Sequence, residues 1–193
     1  MYANAQSVVG KVSELCSVAA DLDPDVIMLT ETWCNKDIQN ALLKLPGYEL
    51  IQDLRRDRSD THLGIGGGIL VYAKNNFSIL PVDNGANSFN QFCIFKFFDG
   101  AENWTVILIY RPPSTTQDNT DQLARLIREA PTNTIIVGDF NLPGINWDIL
   151  TADSKGRPVL EACADSGMTQ LVSFATHIKG NMLDLVLTDV PEK

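Results

Sequence analysis

A run of β-branched residues that ends in Gly-Asp-Phe-Asn constrains the fold of this chain more than any other segment. Thr134 to Val137 predicts a strand buried on both faces of a sheet, and Gly138 permits a tight exit from it. If the extended conformation continues, Asp139 and Asn141 point the same way into one cleft. There an aspartate can hold a metal or take a proton from water, and an asparagine can donate to a phosphate oxygen. The alternative is an Asx-rich turn that only ends the strand.

Length and cysteine usage are those of one ordinary globular domain. A chain of 193 residues needs no disulfide bond or structural metal for stability, because a domain of this size buries roughly 70% of its unfolded surface. The cysteines form no Cys-x-x-Cys pair, which argues against a zinc site and against disulfides. No apolar run approaches the roughly 20 residues of a membrane span, and the N-terminus lacks a secretory pattern. These features predict an intracellular, reducing compartment and no membrane partner.

The charge balance limits the class of partner. A formal charge of −9 argues against broad adhesion to nucleic acid, which relies on clustered Lys and Arg. It does not exclude a nuclease, since a metal-dependent site needs several carboxylates. The local exception is Arg55-Arg56-Asp57-Arg58, for which a solvated loop and a phosphate contact are both open interpretations.

Apolar periodicity predicts an α/β chain. Strands at Met1–Ala5 and Val26–Leu29 enclose a helix that starts near Ser7 and ends at Asp23-Pro24, which gives a β-α-β opening. Further helices are predicted at 37–45, at 118–130 with a cap at Asp118 or Thr120, and at 154–167. The other predicted strands are Tyr48–Gln52, Gly68–Ala73, Phe77–Val82, Gln91–Phe98, Trp104–Tyr110, Leu171–Ser173 and Leu183–Leu187.

The arrangement of these elements predicts the fold class. The strands between 68 and 98 follow one another with turn signals, so we expect meandering antiparallel pairs there. Helices interspersed among many strands, with both hairpins and crossovers, indicate an α/β sandwich of mixed sheets faced by helices.

Useful polar residues lie at the ends of several predicted strands: Glu31, Tyr110, Asp139 and Asp184. Strand ends of one sheet can converge on a common rim, and an unpaired buried carboxylate is strongly unfavourable without a partner or cation. Oxygen ligands of this kind favour Mg²⁺ or Mn²⁺ over Zn²⁺, and a phosphodiester is then the natural substrate. Taken singly, Glu31 is also explained as a capping or surface acid and Asp184 as a salt-bridged strand residue.

Two other motifs exclude function classes. The run Gly64-Ile65-Gly66-Gly67-Gly68 is followed by a strand and lacks the Lys-Ser or Lys-Thr of a nucleotide-binding loop, so we interpret it as a flexible hairpin entry. His62 and His177 lie in polar loops without a nearby Ser or Cys elbow. A hydrolase triad is therefore not supported.

With these residues assembled, the chain resembles the endonuclease/exonuclease/phosphatase superfamily of deoxyribonuclease-like enzymes, and most closely the endonuclease domain of LINE-type non-LTR retrotransposons. The resemblance spans nearly all of the chain, and it depends on the order and spacing of short motifs. These motifs are Asn4-Ala5-Gln6-Ser7, Asp25–Trp33, Gly66–Tyr72, Tyr110–Ser114, Gly138–Asn141 and Leu183–Thr188.

The resemblance implies a four-layer sandwich of two mixed β-sheets flanked by helices, formed by a single domain over residues 1–193. It implies that Glu31 binds the metal with help from Asn4, and that Asp139 activates or positions the attacking water. The other implied roles are a phosphate contact for Asn141 and Tyr110, orientation of a catalytic histidine for Asp184, and substrate contact for Thr176 and Arg111.

One departure from the family pattern concerns the C-terminus. Family members end with a strand preceded by Ser-Asp-His, whose histidine stabilises the transition state, whereas this sequence ends at Pro191-Glu192-Lys193. His177 precedes Asp184 and has different neighbours, so we do not assign it that role. We expect a fragment of a longer element, or a degenerate copy, that keeps the fold and most of the metal site but lacks the last catalytic strand.

Three functions remain open at this point. The first is a Mg²⁺-dependent endonuclease that nicks DNA in the nucleus for target-primed reverse transcription, with a reverse transcriptase domain after it in the parent protein. The second keeps the site but acts on an inositol phosphate, a sphingolipid or another small phosphoester. The third is a catalytically dead domain kept as a binding or structural module.

Overall fold

Two β-sheets form the centre of the protein, as seen in a computed structural model that describes residues 1–55, 66–84 and 91–192. The smaller sheet has the order β1-β2-β4-β3, formed by Tyr2–Asn4, Val26–Thr30, Ile69–Lys74 and Tyr48–Leu54. The larger sheet has the order β11-β12-β8-β7-β6-β5, formed by Thr169–Gln170, Asp184–Thr188, Thr134–Asp139, Asn103–Tyr110, Gln91–Phe98 and Ile79–Asn84. A short hairpin adds β9 (Ile145–Asn146) and β10 (Thr151–Ala152).

Both sheets are mixed. In the smaller sheet, β1 pairs with β2 in parallel and the remaining pairs are antiparallel. In the larger sheet, β7 and β8 are parallel neighbours, and the other strands join in antiparallel pairs. Each parallel pair is connected through a helix, since α1 (Val12–Leu22) follows β1 and α2 (Gln117–Arg128) follows β7.

Three apolar clusters show how the layers stack. One cluster lies between the two sheets and contains Ile69, Val71, Cys93, Phe95, Val106, Leu108, Tyr110 and Val137. A second cluster packs α1 against the outer face of the smaller sheet, with Ala19, Ile27, Leu29 and Leu70 among its members. The third packs α2 and α3 (Arg157–Asp165) against the outer face of the larger sheet, with Leu123, Ile127, Ile136, Val159 and Leu185 among its members. The predicted four-layer sandwich of mixed sheets flanked by helices is thus confirmed.

Several predicted elements differ in detail. The helix expected at 37–45 is only a 3-10 turn at Asn40–Leu43, after which Lys44 is already extended. The cap of α2 is Thr116, whose side chain accepts from the Asn119 amide, and the predicted caps Asp118 and Thr120 lie inside the helix. The strand predicted at Leu171–Ser173 is wrong, since β11 ends at Gln170.

The predicted antiparallel meander is also wrong in one place. β4 and β5 follow each other in the chain but belong to different sheets, so the turn between them carries the chain across the sandwich. The reason lies in β4, whose residues from Ile69 to Ala73 are all buried: one face meets α1 and the other meets the larger sheet. The true meander is β5-β6-β7.

The structure describes only part of the basic run and of the glycine-rich run. Arg55 forms an ion pair with Asp53 at 2.8 Å, while residues 56–58 of the basic run lie outside the described residues. His62 and the Gly64-Ile65 pair also lie outside them. The four cysteines are free, and three of them are buried. Among the described helices, none is long and apolar enough to cross a membrane.

Candidate active site

The end of β8 brings three of the predicted residues side by side. Asp139 is the last residue of this strand. Its backbone partner on β7 is Tyr110, and its partner on β12 is Asp184. Three adjacent strands therefore deliver these side chains to one edge of the larger sheet, as their positions in the sequence predict.

The Asp139 carboxylate is nearly buried, with 5% of the residue exposed. One oxygen, Oδ2, accepts from Asn4 Nδ2 at 3.0 Å, and the other accepts from the Asn141 backbone amide at 3.1 Å. The first of these bonds crosses from β1 of the smaller sheet to β8 of the larger one. The edges of both sheets thus meet at Asp139.

Burial and neighbouring negative charges raise the pKa of Asp139 to about 7. Burial is the largest cause, the charges of Asp184 and Glu31 act in the same direction, and the hydrogen bonds from Asn141 oppose it. This carboxyl therefore exchanges its proton near neutral pH, which suits a group that takes a proton from water.

Asp184 is held by Tyr2, a residue that the sequence analysis missed. The Tyr2 hydroxyl donates to Asp184 Oδ1 at 2.6 Å and lies 3.0 Å from Thr30 Oγ1. Burial and the nearby Asp184 charge raise the pKa of Tyr2, so its hydroxyl remains a proton donor. One signal was available: Tyr2 stands two residues before Asn4 on a strand, so the two side chains share a face.

Glu31 lies just beyond the end of β2, in a backbone conformation with φ of +51°. Its Oε2 accepts from Trp33 Nε1 at 2.6 Å and from the Gly67 amide at 2.7 Å. These two donors fix the orientation of the carboxylate, and its charge is close enough to act on Asp139. Trp33 and Gly67 were not predicted to support the site.

Asn141 has left the extended conformation, because its φ is +48°. The expectation that Asp139 and Asn141 point the same way along one strand is therefore wrong. The bond between Asp139 Oδ1 and the Asn141 amide is an Asx turn, which was the alternative interpretation of this segment. The turn serves the site, since it leaves the Asn141 side chain beside Asp139, where Nδ2 donates to the Arg111 carbonyl at 2.9 Å.

Two residues predicted to contact substrate make internal contacts instead. Arg111 is fully buried at 0% exposure, and its guanidinium donates to the Asn141 carbonyl and to Thr120 Oγ1. Direct substrate contact by Arg111 is thus wrong, because no face of its side chain reaches solvent. Thr176 is half-buried, and its Oγ1 accepts from the amides of Leu183 and Asp184. It holds the start of β12, and its predicted substrate contact stays a prediction.

A cleft of about 440 Å³ adjoins Asn141. Lys155, Lys179, His177 and Asp153 also line it. Tyr110, the last residue of β7, is 2% exposed. With two lysines and one aspartate among its lining residues, this cleft is more basic than the acidic chain as a whole.

The donor set at this edge fits a divalent cation that prefers oxygen. The described residues contain no cluster of three or more His, Cys, Asp or Glu side chains arranged to hold a metal. Mg²⁺, however, commonly uses only one or two carboxylates and completes its shell with water. Asn4 Oδ1 is buried without a hydrogen-bond partner among the described residues, although Nδ2 of the same amide is bound to Asp139. An orphaned amide oxygen beside a carboxylate is a site that a hard cation would satisfy.

One family of known proteins matches the second half of the sequence. The model of the endonuclease-reverse transcriptase family matches residues 104–193. The search of curated proteins returned no significant match.

Solved structures match over nearly the whole chain. The endonuclease domain of TRAS1, a telomere-specific non-LTR retrotransposon, is 15% identical with a TM-score of 0.66, over 97% of this chain and 82% of that one. An AP endonuclease from Archaeoglobus fulgidus is 14% identical with a TM-score of 0.68, over 98% and 86%. The 3′ phosphatase NExo from Neisseria, bound to a product DNA hairpin, is 14% identical with a TM-score of 0.65, over 96% and 84%. These matches show that the chain shares the fold of these two endonucleases and this phosphatase.

Proposed function

We propose that this chain is a divalent-metal-dependent phosphodiesterase, and that it nicks DNA as the endonuclease domain of a non-LTR retrotransposon. The observation that carries the proposal is the meeting of both sheets at Asp139. There Asn4 from the smaller sheet, Asp184 from β12 and the Asn141 turn surround one nearly buried carboxylate. Glu31 acts on the same carboxylate through its charge.

Each residue around Asp139 has a separate role in the proposed reaction. Asp139, with a pKa of about 7, takes the proton of a water that attacks the phosphorus. Asn141 donates from its side-chain amide to the Arg111 carbonyl and also forms a side-chain hydrogen bond with Asp139, and a phosphoryl oxygen would take over the second of these bonds. Asn4 fixes the rotamer of Asp139 and presents its free Oδ1. A bound Mg²⁺ or Mn²⁺ would be held by Glu31 and Asn4, with the Asp139 carboxylate beside it, and would offset the negative charge on the phosphoryl oxygens.

DNA is proposed over a small phosphoester for two reasons. The family whose model matches joins an endonuclease to a reverse transcriptase, and several similar structures are nucleases or hold DNA. The cleft beside Asn141 also carries Lys155 and Lys179, which suit a strand that extends beyond the scissile phosphate. In this proposal a reverse transcriptase domain belongs to the same polypeptide, and the enzyme acts in the nucleus.

The test is cleavage of supercoiled plasmid. We expect the purified chain to convert it to the nicked circle with Mg²⁺ and not with EDTA, and Asp139→Ala to abolish the reaction. The matched control is Asp21→Ala, which removes an exposed carboxylate from α1, away from the site. Release of phosphate from small phosphoesters without nicking would overturn the DNA assignment. DNA binding without any hydrolysis would favour the catalytically dead module.

A further inference from the structure

Arg111 is a charged residue in an unusual place. It is fully buried, and Nε has no hydrogen-bond partner among the described residues. Within the same residues, no carboxylate pairs with it as a salt bridge. An apolar side chain of similar volume would fill the space at a lower desolvation cost. The guanidinium therefore needs an explanation beyond packing.

Its hydrogen bonds go to the turn that carries Asn141. One terminal nitrogen donates to the Asn141 carbonyl at 3.0 Å and lies 3.5 Å from the Phe140 carbonyl. In return, the side-chain amide of Asn141 donates from Nδ2 to the Arg111 carbonyl at 2.9 Å. The Arg111 backbone amide donates to the Asp139 carbonyl at 2.8 Å. Arg111 and Asn141 thus form a reciprocal pair of hydrogen bonds, in which the side chain of each donates to the backbone carbonyl of the other. We call this pair the clasp.

The second terminal nitrogen ties this clasp to α2. It donates to Thr120 Oγ1 at 2.9 Å, and Thr120 is fully buried on the inner face of that helix. The planar, forked guanidinium can reach the turn and the helix together, whereas a lysine ammonium offers a single point of attachment. This fork opposes the conformational cost of Asn141, which is a non-glycine residue with φ of +48°.

From this geometry we infer that Arg111 is a positioning residue that holds Asn141 against the reacting phosphate without touching the substrate itself. The inference rests on the proposed function for the role of Asn141, but the clasp can be tested separately. Without the guanidinium, the Phe140 and Asn141 carbonyls lose their donor and the turn is free to relax. Asn141 then leaves the orientation in which its side-chain amide lies beside Asp139.

The kinetic test uses Arg111→Ala, with Arg111→Lys as the conservative variant and Arg128→Ala as the matched control. Arg128 forms an exposed pair with Asp165 and lies on the outer side of α2. We expect Arg111→Ala to lower kcat for plasmid nicking about 100-fold, the loss typical of a small misplacement. KM should change little, and free guanidinium ion should restore much of the lost rate in Arg111→Ala alone. A loss confined to KM, or no rescue by guanidinium, would overturn the inference.

Amide hydrogen exchange tests whether Arg111 holds the Asn141 turn even if the chain does not cleave DNA. We expect amide hydrogen exchange at Phe140 and Asn141 to accelerate in Arg111→Ala, to recover with guanidinium, and to remain slow at Ala19 in α1. Arg111→Lys should be intermediate, and it also serves if the alanine variant fails to fold. Unchanged exchange at Phe140 and Asn141 would show that Arg111 does not hold the turn. No cleavage by the unaltered chain, together with this local exchange pattern, would count against the proposed function and in favour of the clasp.

Discussion

Replacing Asp139 with asparagine should stabilise the metal-free protein at alkaline pH. In the folded chain this carboxyl is buried near Asp184 and Glu31, which raises its pKa from 3.8 to about 7. The unfolded chain releases the same proton near pH 4. Between these values the folded state binds more protons than the unfolded state, so stability falls as pH rises from about 4 to about 7 and then levels off. The asparagine variant lacks this loss because its amide does not ionise.

The size of the effect follows from the same values. A rise of about 3 pKa units at about 1.4 kcal/mol each puts the cost of the charged carboxylate near 4 kcal/mol at pH 8. The substitution also loses one acceptor, since Asp139 accepts from both Asn4 and Asn141, at a cost of about 1 kcal/mol. The net gain in unfolding free energy at pH 8 should be about 2 to 3 kcal/mol. At pH 5 the gain should fall below about 1 kcal/mol, because this pH lies only about one unit above the unfolded pKa: the loss of stability there is about 1.5 kcal/mol, and the lost acceptor offsets about 1 kcal/mol of it.

Urea unfolding in EDTA at pH 5 and pH 8 measures this difference. Asp21→Asn is the control, because it removes an exposed charge and should change the unfolding free energy by less than about 0.5 kcal/mol at either pH. If Asp139→Asn gained no more stability at pH 8 than at pH 5, burial and the charges of Asp184 and Glu31 would not destabilise the ionised Asp139 carboxylate.

Three other substitutions test neighbouring contacts. Tyr2→Phe removes the hydroxyl that binds Asp184 and should cost about 1 to 3 kcal/mol in urea unfolding, since it leaves a charged acceptor without this donor. Trp33→Phe removes the indole donor to Glu31 and should weaken Mn²⁺ binding about 10-fold by calorimetry, the usual effect of losing a group that orients a ligand. Gly138→Ala should prevent stable folding, judged by circular dichroism, because φ is +146° and the added carbon would lie 1.9 Å from the Ile109 carbonyl oxygen. Unchanged stability in Tyr2→Phe, unchanged Mn²⁺ affinity in Trp33→Phe or an unchanged spectrum in Gly138→Ala would contradict the corresponding prediction.

Local sequence was enough for the strand that ends at Asp139. The β-branched run predicted the strand, which continues through the predicted exit at Gly138 to Asp139. The polar residues at three other strand ends, Glu31, Tyr110 and Asp184, indicated the rest of the site. Fold class followed from the order of helices and strands, because hairpins and crossovers in one chain require mixed sheets.

The contacts that complete the site could not be predicted in this way. The hydrogen bond from Asn4 to Asp139 joins residues 135 positions apart, and that from Tyr2 to Asp184 joins residues 182 positions apart. No local sequence pattern indicates contacts at such separations. The left-handed turn at Asn141 depends on Arg111, which lies 30 residues earlier in the chain. The local sequence allowed both an extended end and an Asx turn at Asn141, and the contact with Arg111 favours the turn.

The most direct test of a shared site at the meeting of the two sheets is the stoichiometry of Mn²⁺ binding by electron paramagnetic resonance. We predict one bound ion per chain, lost in Asp139→Ala, strongly weakened in Asn4→Ala, and unchanged in Asp21→Asn. Mn²⁺ binding that survives Asp139→Ala undiminished would contradict the account, because the cation would then lie elsewhere.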